Sequence, residues 1–156
     1  MTTQIGDRLV DGDSEYIVKP FPLSFKQPKW GYHVLNGREV SRFQVCSTAN
    51  WRGYVARWEI KNEVLVLVGF SARDKNGSAI SIDDEFGKEQ VAADWYSGEL
   101  RSSVGNRIYG LYEPTYEKNC IWLFESGRLK ERTVRINNTP EDLERTAKYL
   151  RFNDSL

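Results

Sequence analysis

The chain has 156 residues, enough for one domain with its own hydrophobic core, and its 22 basic residues balance 22 acidic ones. Zero net charge argues against nucleic-acid binding, because nucleic-acid binders usually show a basic excess, or at least a basic stripe, that neutralises phosphates. No run approaches the roughly 20 apolar residues of a membrane helix, and the first residues lack the basic start and apolar run of a signal peptide. We therefore expect a cytoplasmic protein that binds neither nucleic acid nor membrane.

Short strands joined by turns account for most of the chain. Glu15–Lys19 gives the first strand signal, which ends at a proline-rich connection. The strongest signal covers residues 54–60, where one face is apolar and charged residues occupy the other, with the period of a half-buried strand. Residues 61–63 have turn chemistry and residues 64–68 form an apolar run, so these segments predict a hairpin.

A further hairpin and a helix are predicted toward the C-terminal end. Apolar and polar residues alternate on both sides of a turn at Ser126-Gly127. Beyond this hairpin, Thr139 is a good N-cap followed by a proline at the first helical position, and an amphipathic helix ends near Arg151. These elements predict a single domain over residues 1–156 of the α+β class. In it, a mainly antiparallel twisted sheet of successive hairpins carries the C-terminal helix packed on one face.

The residue types that most often carry chemistry are sparse. Cys46 and Cys120 lie far apart in sequence, and we expect two buried thiols in a reducing compartment, although their unknown separation in space leaves a disulfide open. His33 is the single histidine, and since no nucleophile-elbow motif accompanies it we expect a structural role. The cysteines and histidine are too scattered for zinc, and no glycine-rich phosphate motif occurs, so we predict no metal and no cofactor.

The segment VAADWYSGELR offers two interpretations. Asp94 and Glu99 could form the carboxylate pair of a glycan-acting hydrolase, with Trp95 and Tyr96 as the platform for a sugar ring. The same residues are also typical of the charged corner of a β-hairpin, in which Asp94 accepts backbone hydrogen bonds. We favour the structural interpretation, because most aspartates near turns are structural.

Trp51 and Arg52, just before the strongest strand, form the other candidate site. An arginine beside a tryptophan has the composition of an interaction hot spot. Alternatively, Arg52 forms an ion pair with Asp94 or Glu99 across the sheet, and we favour this local pairing because charges at edges and turns commonly pair with each other.

Three segments of the chain resemble the motifs of a known group of proteins. WRGYVARWEI, ADWYSGELR and YEKNCIWLFESGRL are similar to motifs of a family of small, mostly uncharacterised bacterial proteins. The resemblance implies a bacterial, cytosolic, β-rich domain and brings no established catalytic residues. The motif positions in this chain are Trp51, Arg52, Gly53, Asp94, Trp95, Gly98 and Glu99.

The resemblance and the small size of the chain lead to a functional expectation. Small bacterial domains of this kind often neutralise a partner. We therefore expect a non-enzymatic protein-binding module, most concretely an immunity-type protein that neutralises a bacterial toxin. The predicted partner-binding residues are Trp51, Arg52, Asp83, Asp84, Glu85, Asp94, Trp95, Tyr96 and Glu99. The alternatives are the glycan-acting hydrolase and a small-ligand or lipid carrier, whose cavity of several hundred Å³ would be lined by Trp58, Phe70 and Trp122.

Overall fold

The structure, a computed structural model, describes residues 4–108 and 115–136. The short helical segments in this part are a 3₁₀ turn at Pro22–Phe25 and the helix α1 at Ile82–Phe86. The strands are β1 (Asp7–Asp11), β2 (Ser14–Val18), β3 (Tyr32–Leu35), β4 (Arg38–Ser41), β5 (Tyr54–Lys61), β6 (Val64–Arg73), β7 (Ala79–Ile80), β8 (Val91–Ala92), β9 (Gly98–Ile108), β10 (Thr115–Glu125) and β11 (Arg128–Ile136).

Nine of these strands form one sheet that closes on itself. Its order is β2-β1-β5-β6-β11-β10-β9, with β7 and β8 pairing with β6, while β3 and β4 form a separate two-stranded sheet. The pairing of β1 with β5 is parallel, and the other pairs are antiparallel. Lys19, directly after β2, exchanges two backbone hydrogen bonds of 3.0 and 2.8 Å with Arg101 of β9. This bridge joins the two ends of the strand order.

The closed sheet is weakest between β6 and β11, which share one register pair among the described residues. Residues 91–97 run along this gap, where β8 pairs with β6 and the Gly127 N–H donates to the Tyr96 carbonyl at 2.8 Å. A Cβ added to Gly127, whose φ is 80°, would lie 2.5 Å from the carbonyl oxygen of Ala93. Only glycine permits this close approach.

Aromatic rings fill much of the interior. Tyr54 stacks on Phe70 with their ring centroids 5.6 Å apart, and it meets Trp30 edge-on at 5.2 Å. Trp30 in turn stacks on Phe86 of α1 at 5.9 Å, which places this short helix against the sheet. Large rings supply the buried apolar area that a thin, strand-built interior needs.

An ion pair and an indole hydrogen bond connect Asp11 to two other strands. Asp11 of β1 accepts hydrogen bonds from Arg132 of β11 (Nε to Oδ2, 2.8 Å; Nη2 to Oδ1, 2.9 Å) and from the Trp122 indole of β10 (2.8 Å). The hydrogen bonds from Arg132, followed by that from Trp122, lower the pKa of Asp11 despite its partial burial.

The expected α+β class is wrong. Of the described part of the chain, 55% is strand and 7% is helix, and no helix there reaches seven residues. The segment in which we expected the C-terminal helix, residues 139–151, lies outside the described residues. The prediction assumed an open sheet that needs a helical layer on one face, whereas a closed sheet buries its inner face against itself. In the described ranges, no helix is long and apolar enough to cross a bilayer.

Candidate binding surface

A buried ion pair fixes the segment that precedes β5. Arg52 donates from Nη2 to Oδ1 of Asp7 at 2.8 Å and from Nη1 to the Ile5 carbonyl at 2.7 Å. Asp7 also accepts the Ala56 backbone N–H and the Trp58 indole N–H, both at 3.1 Å. The Arg52 side chain is 4% exposed and that of Asp7 is 0% exposed. The pair therefore ties the loop before β5 to β1 in the interior.

The electrostatics of this pair reflect its burial. Desolvation raises the pKa of Asp7, and the positive charge of Arg52 and the hydrogen bonds of Trp58 and Ala56 oppose that rise. The guanidinium of Arg52 also lies over the ring of Phe21, with Cζ 3.7 Å from the ring centroid. Arg52 is thus enclosed by its own fold, and its ion-pair partner is Asp7 rather than Asp94 or Glu99.

The neighbouring residue, Trp51, has the opposite environment. Its side chain is 64% exposed. Its backbone N–H donates to Oε1 of Gln4 at 2.8 Å, and Nε2 of Gln4 donates to the Thr48 carbonyl at 2.7 Å. The hydrogen bonds of Gln4 and the burial of Arg52 hold the backbone of Trp51 in place, while its indole remains exposed to solvent.

Trp51 lines two concavities, and Tyr32 and Thr48 also line both of them. One measures about 510 Å³ and is completed by Gln4, Phe21, Ser24 and Arg52. The other measures about 540 Å³ and is completed by Glu39, Val40, Ser41, Val45, Cys46, Ser47 and Lys75. We refer to Tyr32, Val45, Thr48 and Trp51 as the Trp51 surface. Three of these four residues are aromatic or apolar, and the exposed indole of Trp51 belongs to the lining of both concavities.

The β3–β4 hairpin adjoins this surface through Tyr32. Val34 and Leu35 of β3 are both exposed, and the two strands pair with each other alone among the described strands. His33 is exposed on the same strand, opposite Val40 in the register. The hairpin thus extends the apolar character of the region into solvent.

The acidic residues predicted to contact a partner lie in and around α1. Ser81 and Asp84 form a capping box, in which each side chain accepts the other's backbone N–H at 3.0 Å. The hydrogen bonds from Ser81 lower the pKa of Asp84. Glu85 pairs with Arg42 at 2.6 Å, and Asp83 is exposed. The Ser-x-x-Asp spacing is a sequence signal that could have assigned Asp84 to the start of a helix.

Residues 94–99 serve different purposes from one another. The Trp95 indole donates to the Pro22 carbonyl at 2.9 Å, and Tyr96 is buried and donates to the Glu99 carbonyl at 2.7 Å. The carboxylate of Glu99 accepts two hydrogen bonds from Arg101, at 2.9 and 2.5 Å, whereas Asp94 is exposed. The flanking strands β8 and β9 pair with β6 and β10, respectively, so this segment is a connection between distant strands and not the corner of one hairpin.

The remaining candidates are placed as follows. Cys120 is buried as expected, but Cys46 is exposed, and both thiols are free of disulfides. The described residues contain no group of three or more His, Cys, Asp or Glu side chains that could hold a metal ion. Trp58 and Trp122 belong to the packed core, and the two concavities beside Trp51 are lined by other residues than those expected for a carrier.

Comparisons with family models, with curated proteins and with solved structures gave no match to this chain.

Proposed function

We propose that the protein is a non-enzymatic binding module that holds a partner protein at the Trp51 surface. The observation that carries the proposal is an exposed indole on a fixed backbone, which lines two concavities of more than 500 Å³ each. Of the nine residues that the sequence suggested, Trp51 is the one that we place at the centre of the interface.

Binding at Trp51 would cost little conformational entropy. Tryptophan is enriched among the residues that dominate binding energy, because one rigid ring covers a large area. Gln4 and Arg52 already fix the backbone of Trp51, so binding has to restrict little beyond two side-chain torsions. The two concavities that Trp51 lines can accept side chains of the partner. Those side chains would shield the indole from water.

A narrower form of the proposal is an immunity-type protein that neutralises a bacterial toxin in the cytoplasm. Its support is the resemblance of the WRGYVARWEI and ADWYSGELR segments to a bacterial family, together with the small size of the chain. Co-expression of this protein with a product of a neighbouring gene that arrests growth should restore growth, and this rescue should be lost in Trp51→Ala. A neighbouring gene product that is harmless, or rescue that is independent of Trp51, would contradict this narrower form.

The general proposal is tested by capture followed by affinity measurement. Tagged full-length protein is incubated with lysate of its source cell, and stoichiometric partners are identified by mass spectrometry. The affinity of the purified partner is then measured by calorimetry for the wild type, Trp51→Ala and the control Val134→Ala, which removes an exposed apolar side chain from β11. Trp51→Ala should weaken binding roughly 30- to 1000-fold, as truncation of a hot-spot residue does.

Two outcomes would contradict the proposal. One is a stoichiometric partner that binds Trp51→Ala as tightly as the wild type while both variants keep the wild-type melting temperature. The other is repeated capture with no stoichiometric partner. The Val134 variant should bind normally, since its side chain is on β11 and lines neither of the two concavities.

A further inference from the structure

A third concavity, a groove, lies where the closed sheet is joined, between β2 and β9. Its volume is about 580 Å³, and its lining includes Arg8, Lys19 and Arg101 but no aspartate or glutamate. In a chain with equal numbers of acidic and basic residues, three cations around one groove form a local concentration of positive charge.

The closure of the sheet brings two of these cations together. Lys19 and Arg101 are opposite each other in the bridge that joins β2 to β9. Residues that are directly opposite in an antiparallel pair project from the same face, and like charges in this position destabilise the pair. The bridge that closes the sheet thus places two positive charges, those of Lys19 and Arg101, opposite each other.

The neighbouring carboxylates neutralise this charge only in part. Glu99 pairs with Arg101, the Nε–Oε2 distance being 2.9 Å. Lys19 is exposed, and its ammonium makes no hydrogen bond or ion pair with the described residues. The cation with the fewest contacts is therefore the one that stands opposite Arg101.

Arg8 is also incompletely neutralised. It shares Glu15 with Arg57, and both guanidinium groups lie 3.8 Å from that carboxylate, which is longer than a hydrogen bond. Of the three cations that line the groove, Arg101 alone has a carboxylate of the described residues within hydrogen-bonding distance.

The groove has an apolar side as well as a charged one. Ile5 and Ile17 line it, and both are more than two-fifths exposed. Tyr116 contributes a ring to the same lining. An occupant that suits both sides carries a strongly anionic group at one end and an apolar or aromatic body at the other.

We propose that this groove binds a soluble phosphate monoester with an apolar or aromatic body. A phosphate carries close to two negative charges at neutral pH and three acceptor oxygens, so it can interact with Arg8, Lys19 and Arg101 at once. The isoleucines and Tyr116 contact the body. This site does not depend on the Trp51 surface, and its test is separate from the test of partner binding.

The test uses 4-methylumbelliferyl phosphate and its uncharged parent, 4-methylumbelliferone, as matched probes in calorimetry at low salt. The wild type should bind the phosphate ester and not the parent. Lys19→Ala should weaken binding about tenfold, since a charge-assisted contact is lost, and Lys19→Arg should restore it. The control Lys130→Ala removes an exposed lysine from β11 and should leave binding unchanged.

Several results would overturn the proposal. They are no binding of the ester at millimolar concentration, equal binding of the uncharged parent, or equal affinity in Lys19→Ala and Lys130→Ala when both fold normally. Sedimentation with anionic phosphatidylglycerol vesicles, but not with phosphatidylcholine vesicles, in the absence of ester binding would assign the groove to a lipid surface instead.

Discussion

Replacing Asp7 by asparagine tests whether the buried ion pair organises the fold. The change keeps the shape of the side chain but leaves the Arg52 guanidinium, which is 4% exposed, without a counter-charge. Asparagine also has one carbonyl oxygen, whereas both oxygens of Asp7 accept hydrogen bonds, Oδ2 from Trp58 and Oδ1 from Arg52 and Ala56. The amide nitrogen of the asparagine would therefore face a hydrogen-bond donor where Asp7 has an accepting oxygen. Loss of one partner from a buried ion pair costs about 3–5 kcal/mol.

For a chain of this length, that loss corresponds to a decrease of roughly 6–20 °C in melting temperature. The assay is thermal and urea denaturation followed by circular dichroism. Asp13→Asn is the matched control, because the same chemical change in an exposed turn should stay within about 0.5 kcal/mol of the wild type.

A second substitution separates lost charge balance from lost packing. Arg52→Met in the Asp7→Asn background removes the unpaired cation, so the double variant should be more stable than the sum of the two single effects implies. An Asp7→Asn variant within about 1 kcal/mol of the wild type would refute the reasoning, as would strictly additive effects in the double variant.

Three further predictions concern other parts of the molecule. Because Arg132 lowers the pKa of Asp11, the ionised form stabilises the fold above the unfolded-state pKa of 3.8, and this stability is lost as the pH falls through the lower folded-state pKa. The free energies of unfolding of the wild type and Asp11→Asn, measured by urea denaturation, should therefore differ by about 1 kcal/mol at neutral pH and converge in acid; a constant difference would contradict this. Gly127→Ala should cost at least about 2 kcal/mol in urea denaturation, because its Cβ would meet a backbone carbonyl; wild-type stability would count against this prediction. Ellman's reagent should label Cys46 at once and Cys120 only after unfolding, and prompt reaction of both thiols would be inconsistent with the fold.

Local features of the sequence predicted the hairpins well. The β5–β6 and β10–β11 hairpins form where alternation and turn residues placed them, since the signals lie within about twenty consecutive residues. The first strand, β1, was missed. Its residues are mostly charged, and Asp7 becomes an interior residue only through partners 45 to 51 positions away. Periodicity carries no information about such a pairing.

The candidate site could be predicted only in part. Trp51 was identified because a tryptophan next to an arginine is typical of an interaction hot spot. Its exposure, however, depends on the side chain of Arg52 pointing into the interior. Tyr32 and Val45 were not identified, because they come from a loop and a hairpin whose positions are set by tertiary contacts. The acidic residues around Asp84 were interpreted as a binding patch. A sequence shows the same residue type whether an aspartate caps a helix or only faces solvent.

The parallel pairing of β1 with β5 has a consequence for how the chain folds. Strand β1 needs β5 beside it, and the end of β2 needs β9, more than eighty residues later in the chain. The hairpins with near neighbours can form early, whereas such distant pairings pay a large loop-closure entropy. We expect the amino-terminal strands to dock last, so that a nascent chain released before β9 emerges would leave them exposed to chaperones.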